Sequence, residues 1–286
     1  MPKINHNVPS MITASALRNV NRQMQKSLEK LSTGLRINRA SDDASGLSVS
    51  ESLRTQYRGL HKANANALDG IALLQIAEGA ENEISAMLQR MRELAVQADN
   101  DTLTTTERTY LNIEFKALQD EIDRIASSTQ YNRQHLVDGT GFGMSGGTSS
   151  ILHLGANNVQ TVDRLAITID GVSCQALGIS SSATTDDCRI ISGSYAFAAI
   201  SSIDAAIDSI NAYRSSLGSM LNRLEHTVIN IENQAANMVS AESTIRDTDF
   251  AEETTEFVKN QILTQSATAM LAQANTLPQS ILSLLQ

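Results

Sequence analysis

The 286-residue chain has no tryptophan, only five tyrosines and five phenylalanines, and three prolines. A core so short of rings must be built from aliphatic side chains, and Ala, Ile, Leu, Val and nine Met supply most of the 41% apolar content. That composition suits helices packed along their lengths. The prolines are Pro2, Pro9 and Pro278, so nothing between Ser10 and Leu277 forbids long helices. Two cysteines are too few for a disulfide-dense scaffold, and 15 glycines are too few for a collagenous one. Basic runs interleaved with aromatics are absent and the net charge is −9, which argues against a nucleic-acid partner. No apolar stretch approaches the length of a membrane span, so no membrane insertion is expected. The first residues lack the continuous apolar core of a secretory signal peptide. Ordinary addressing therefore predicts a cytoplasmic chain unless a non-classical export route takes it.

Charge divides the chain. Residues 1–62 hold ten Lys or Arg against four Asp or Glu, whereas residues 224–286 hold two against eight. Terminal segments of similar length and opposite sign are expected to attract, within a subunit or between subunits. Glycine marks a third region: nine of the 15 lie between Gly139 and Gly193, beside the runs Thr148-Ser149-Ser150 and Ser180-Ser181-Ser182. There Leu165, Ile167 and Ile169 alternate with Ala166, Thr168 and Asp170 ahead of Gly171, which predicts a strand and a turn. Residues 141–195 thus read as a small, turn-rich, partly β insertion between two helical arms.

The second arm carries a heptad seam. Ile200, Ile203, Ile207, Ile210, Leu217, Leu221, Leu224, Val228, Ile231, Ala235 and Met238 recur at steps of three and four, with Arg214 the one polar member. In the first arm, Leu60, Ala63, Ala67, Ile71, Leu74, Ala77, Ile84, Leu88, Met91, Ala95 and Ala98 form a similar stripe within a helix expected over about 44–98. Small Ala positions facing large Ile and Leu would let the two helices approach closely. Gly59, Gly70 and Gly79 each cost that helix roughly 1 kcal/mol relative to Ala, which points to close packing or built-in softness. Thr104-x-x-Glu107 reads as a capping box opening a further helix with the seam Leu111, Phe115, Leu118, Ile122 and Ile125. At the chain ends, Leu17, Val20, Met24, Leu28 and Leu31 form one stripe, while Phe250, Phe257, Val258 and Ile262 begin another. Both end pieces are short for self-sufficient helices and need a partner. The fold expected is mainly α: a long, antiparallel, coiled-coil-like rod from both arms, with a small partly β insertion.

Catalytic constellations are absent. The five histidines are dispersed and no H-E-x-x-H occurs, so neither a metal nor an enzymatic activity is expected. Gly141-Phe142-Gly143-Met144-Ser145-Gly146 matches G-x-G-x-x-G, but it follows a helix rather than a strand and precedes a poor helix start, so no cofactor is assigned to it. The pairs Asp42-Asp43 and Glu252-Glu253 read as first-turn helix charges. Cys174 and Cys188 lack zinc or C-x-x-C spacing; they could form a disulfide in an oxidising place or stay as two thiols.

Several long motifs resemble one family. Leu31-Ser32-Thr33-Gly34-Leu35-Arg36-Ile37-Asn38, Asp42-Asp43-Ala44-Ser45-Gly46-Leu47, Ala67-Leu68-Asp69-Gly70-Ile71 and Gln89-Arg90-Met91-Arg92-Glu93-Leu94-Ala95-Val96-Gln97 look like the N-terminal signature of bacterial flagellins. Ile245-Arg246-Asp247-Thr248-Asp249, Gln261-Ile262-Leu263, Met270-Leu271-Ala272-Gln273-Ala274-Asn275 and the closing Leu277–Leu285 resemble the C-terminal signature. The likeness covers about 1–140 and 196–286.

The resemblance implies a structural subunit that self-assembles into the helical flagellar filament for motility. It would be exported through the flagellar type III apparatus to stand outside the cell, rather than in the periplasm. Implied partners are further copies of itself, an export chaperone, the filament cap, hook-junction proteins and, as a secondary role, the flagellin-sensing Toll-like receptor of a host. An inner terminal domain would comprise 1–43 and 252–286, a rod domain 44–140 and 196–251, and the outer insertion 141–195. Arg90, Leu94 and Glu114 match the family's receptor contact. Leu17, Val20, Met24, Leu28, Leu31, Phe257 and Ile262 would pack the termini, and Leu217, Leu221, Leu224, Val228 and Ile231 the rod core. A hook-associated junction protein and a flagellin carrying an enzymatic insertion are the competing readings.

Overall fold

The computed structural model describes residues 6–139, 150–180 and 189–283, with the main chain alone for 277–283. Its elements are α1 (Val8–Thr33), α2 (Ala44–Ala98), α3 (Thr105–Ser128), β1 (Gln130–Tyr131), β2 (Gln134–His135), β3 (Ser150–His153), β4 (Arg164–Ile167), α4 (Gly193–Arg246) and α5 (Phe250–Ser283). The expected mainly α fold with a small β insertion is the one the chain adopts. Two compact units divide it: residues 1–57 with 236–286, and residues 58–235.

In the first unit, α1 begins where the Asn7 side chain accepts from the Ser10 amide at 3.2 Å, with Pro9 in the first turn, where no amide is needed. It ends at Gly34, whose φ of 72° turns the chain out of the helix while its amide still reaches Lys30 O at 2.8 Å. The Asp249 carboxylate caps α5 by accepting from the Ala251 and Glu252 amides at 2.8 and 3.3 Å. α1 and α5 pair antiparallel. Asn7 Nδ2 donates to Ala274 O at 2.8 Å at one end, and Lys30 Nζ meets Glu253 Oε2 at 3.1 Å at the other. Below that ion pair, the Arg36 amide donates to Arg246 O and the Thr248 amide to Gly34 O, at 2.6 and 3.1 Å.

The sheltered side of α1 runs through Leu17, Val20, Met24, Ser27 and Leu31, and that of α5 through Phe257, Asn260, Thr264, Ala267, Leu271 and Ala274. Four expected members of these stripes lie elsewhere. Leu28 is 50% exposed and Ile262 60% exposed. The steps of three and four that keep a helix on its partner pass through Ser27 and Asn260 instead, and the larger apolar neighbours point away. Val258 and Phe250 are exposed as well.

In the second unit, α2 and α4 run antiparallel. Arg92 Nε meets Asp204 Oδ1 at 2.6 Å and Asn64 Nδ2 meets Glu232 Oε1 at 3.4 Å, contacts equally far apart on both helices. The α4 seam is buried at every seventh residue, Ile203, Ile210, Leu217, Leu224 and Ile231, while Leu221 and Val228 are half-buried. α3 opens on the expected capping box, with the Thr104 amide donating to Glu107 Oε2 at 2.7 Å and the Glu107 amide to Thr104 Oγ1 at 3.4 Å. Phe115, Gln119, Ile122 and Ala126 are its buried residues.

A polar layer interrupts the apolar core. Glu81, at the step between Ala77 and Ile84, is fully buried, and neither carboxylate oxygen has a hydrogen-bond partner among the described residues. Burial pushes its carboxyl up to about 7 despite the opposing charge of Arg214, and Asp170 and Glu78 push in the same direction. The one polar position of the α4 seam is therefore answered by a buried acid on α2.

The insertion contributes β3 and β4, paired antiparallel with Ser150 opposite Ile167 and His153 opposite Arg164. It leans on α2, where Asn66 Nδ2 donates to His153 O at 3.1 Å. A Cβ on Gly70 would lie 2.6 Å from Leu152 Cδ1 and one on Gly59 3.0 Å from Ala156 Cβ, so both glycines make room for the insertion. Nothing lies within 4 Å of a Cβ on Gly79, so packing does not explain that glycine. Buried Gln119 donates through Nε2 to Ile179 O at 2.6 Å, and the Cys174 amide donates to Asp123 Oδ1 at 2.8 Å, tying the insertion to α3. Cys174 is buried; Cys188 and the 141–146 glycine motif lie outside the described residues.

Two expectations follow. Gly79→Ala should raise unfolding stability by about 1 kcal/mol through helix propensity alone, while Gly70→Val should cost about 1–3 kcal/mol by overpacking against Leu152; denaturant titration checks both. Glu81 also sets a pH dependence. Its folded pKa of about 7 exceeds its ordinary value of 4.5, so the native state holds a proton that the unfolded chain has lost, and stability falls as pH rises between these values. At about 1.4 kcal/mol per unit the fall amounts to roughly 3 kcal/mol above pH 7. Glu81→Gln should flatten that slope in melts from pH 5 to 8, and an unchanged slope would contradict the assignment.

Candidate interaction surfaces

The α1–α5 hairpin exposes more large apolar side chains than a solvated pair needs. On α1, Val8, Met11, Ile12 and Leu28 are at least half exposed; on α5, Val258, Ile262, Leu263 and Met270 are at least two-fifths exposed. Covering each would be worth about 1.5–3 kcal/mol, which makes the hairpin faces candidate docking surfaces. The terminal charges also remain partly unmatched. Lys30 with Glu253 and Arg246 with Glu51 join the two terminal segments, the latter pair at 2.7 Å. Among the described residues, Arg18 and Arg22 have no carboxylate partner.

The three expected receptor-contact residues separate into two environments. Arg90 and Glu114 stand exposed on α2 and α3, their side chains 50% and 47% accessible, and form a two-point contact with Nε and Nη2 of Arg90 at 3.0 and 2.8 Å from Glu114 Oε1. Glu93 Oε2 takes the remaining Arg90 nitrogen, Nη1, at 2.9 Å. Leu94 is not beside them on the surface, because only 1% of it is accessible. α2 meets both α3, through Arg90–Glu114, and α4, through Arg92–Asp204, so its buried stripe is wider than a two-helix seam. Leu94 falls inside that widened stripe with Met91, Ala95 and Ala98. In this conformation it supplies core packing, not contact area.

Residues with no place in the sequence reading matter too. Glu81 was hidden because a single acid in an Ala-rich stripe resembles a solvated position; its only clue was the match in spacing with Arg214. Asn260, 1% accessible with neither amide atom hydrogen-bonded among the described residues, sits in the α5 seam as a polar residue of the kind that specifies helix register. Among the described residues, no cluster of three His, Cys, Asp or Glu is placed to hold a metal ion, and no helix is long and apolar enough to cross a membrane.

Comparison with known proteins matches the two arms of the sequence. The bacterial flagellin N-terminal helical region matches residues 4–141, and the bacterial flagellin C-terminal helical region matches residues 200–285. Flagellin FlaB2 of Treponema pallidum is 45% identical, and the flagellin of Halalkalibacterium halodurans is also 45% identical, each match covering 99% of both chains. A solved structure described as a putative flagellar hook-associated protein from Vibrio parahaemolyticus shares the fold at a TM-score of 0.57 and 12% identity, covering 72% of this chain and 100% of that one. Helical arms at both ends of the sequence, the exposed apolar faces of the terminal helices and end-to-end matches to two flagellins at 45% identity agree: the chain belongs to the bacterial flagellin family.

Proposed function

We propose that the chain is exported through the flagellar type III apparatus and polymerises outside the cell, beneath a cap, into the motility filament. The single observation that carries this reading is the surplus of exposed apolar side chains on α1 and α5. A monomer gains nothing from them, whereas a helical lattice buries them by repeated heterologous contact. In this reading 1–43 with 252–286 form the inner domain, 44–140 with 196–251 the rod and 141–195 the outer surface. An export chaperone would cover the terminal segments before secretion, and hook-junction proteins would meet the first subunits. The chain acts as a structural subunit and not as an enzyme. Expressed in a flagellin-deleted bacterium, it should restore motility and filaments visible on unbroken cells by electron microscopy. The chain lacking 250–286 should give none. Normal filaments from the truncated chain would overturn the reading.

Recognition of the monomer by the flagellin-sensing Toll-like receptor is a secondary role, supported by the exposed Arg90–Glu114 pair. Charged groups of this kind orient a partner more than they bind it. Burial of Leu94 changes what its substitution should do. Arg90→Ala should lower receptor activation by monomer at least about tenfold without moving the melting temperature, whereas Leu94→Ala should lower stability by about 2–5 kcal/mol and affect activation only as a consequence. Reporter cells and thermal melts of the same preparations check this.

A further inference from the structure

The assembly reading leaves open which faces of the terminal helices meet, and the outward side chains carry enough order to specify it. On α1 an exposed line begins apolar at Val8 and Ile12, passes through Ser15 and Asn19, and becomes basic at Arg22 and Lys26. On α5 a flank runs the other way: acidic at Glu252 and Glu256, then Lys259, Leu263, Ser266 and Met270. Five of these six α5 residues are exposed, and the Glu256 side chain is 45% accessible. Both lines advance by alternating steps of four and three residues, which keeps each on one helical stripe.

Resting on that reading, we propose that the outward line of α1 docks on this flank of α5 from a second copy, antiparallel and in the register set by these steps. Val8 then meets Met270, Arg22 meets Glu256 and Lys26 meets Glu252. Between them, Ile12 falls opposite the small Ser266 and Leu263 opposite the small Ser15, so neither large side chain holds the helices apart. Lys259, the one base of α5, falls opposite Asn19 and confronts no cation. A parallel docking in the same steps would set Val8 and Ile12 against the two acids, and Arg22 and Lys26 against Ser266 and Met270, so charge order selects the antiparallel one. The contact cannot form within one chain, where α1 pairs with α5 through its opposite side, and α5 through the seam beside this flank, in a different register, with Lys30 at Glu253 and Asn7 at Ala274. Existing contacts of the basic and acidic groups are easily exchanged. Among the described residues Arg22 donates only to Asn19 on its own helix, the Lys26–Asp42 pair is 3.5 Å long with Lys26 exposed, and Glu256 holds Lys259 one turn away.

The test is charge exchange between chains, read as the elongation rate from wild-type filament seeds. Arg22→Glu and Glu256→Arg should each slow elongation at least about tenfold, because each sets like charges opposite one another. An equimolar mixture of the two variants should elongate again, since every α1 then finds an α5 of opposite sign on the other variant; recovery also shows that both chains are folded. Elongation of either variant alone at the wild-type rate overturns the docking, and so does a mixture as inactive as its components. Either failure, with wild-type chain still elongating, rejects this contact and leaves the filament function standing. Wild-type chain that never elongates rejects the assembly reading itself.

Discussion

A helix in a two-helix hairpin can hide one stripe, and α1 and α5 each carry more apolar surface than one stripe holds. They cover Leu17, Val20, Met24, Phe257 and Leu271 at least in part and leave Met11, Ile12, Ile262 and Met270 in water. That constraint orders much of the molecule. The terminal segments sit together because each has an apolar stripe to bury, and together they remain incomplete, since only further helices can cover what is left. Stability of the single chain therefore has to come chiefly from the 58–235 unit.

That unit answers the demand with a continuous seam. Burial recurs at Ile203, Ile210, Leu217, Leu224 and Ile231 of α4, and the Ala-rich positions of α2 at Ala63, Ala67, Ala77, Ala95 and Ala98 are buried as well. Uniform seams of this kind tolerate sliding by a heptad, and polar layers are the usual cost accepted to prevent it. Glu81 with Arg214 in one unit and Asn260 in the other occupy such layers. Glu81 and Asn260 are buried and Arg214 is half-buried with a buried Nε, and among the described residues none of them has a full set of hydrogen bonds, so each gives up stability for a single register. The glycines show the same division of labour: Gly59 and Gly70 accept the insertion against α2, while Gly79 makes no comparable contact.

The insertion is less independent than a linker between arms would be. Its main chain is held by Asn66 and Gln119, and its acid Asp170 acts on the charge of Glu81. The preceding hairpin, β1 to β2, turns through Asn132 and Arg133 with φ of 49° and 66°. An Asn-Gly pair would have announced that turn; with arginine in the second place the signal is lost, and the hairpin was not legible.

Periodicity alone determined the long helices, the bounds of α2, the capping box at Thr104, the heptad seam of α4 and the strand before Gly171. Each depends on a local rule that neighbouring residues satisfy among themselves. Family signatures in the sequence likewise pointed to a flagellin. Only the tertiary structure decided which side of each stripe was used. Leu28 and Ile262 turned outward because Ser27 and Asn260 hold the seam positions, and Leu94 turned inward because α2 has two neighbours instead of one. Glu81 became a buried, proton-holding acid because α4 lies across it. A stripe read along one helix records what that helix could bury; the number and angle of its neighbours determine what it does bury, and those are set by residues far away in the chain.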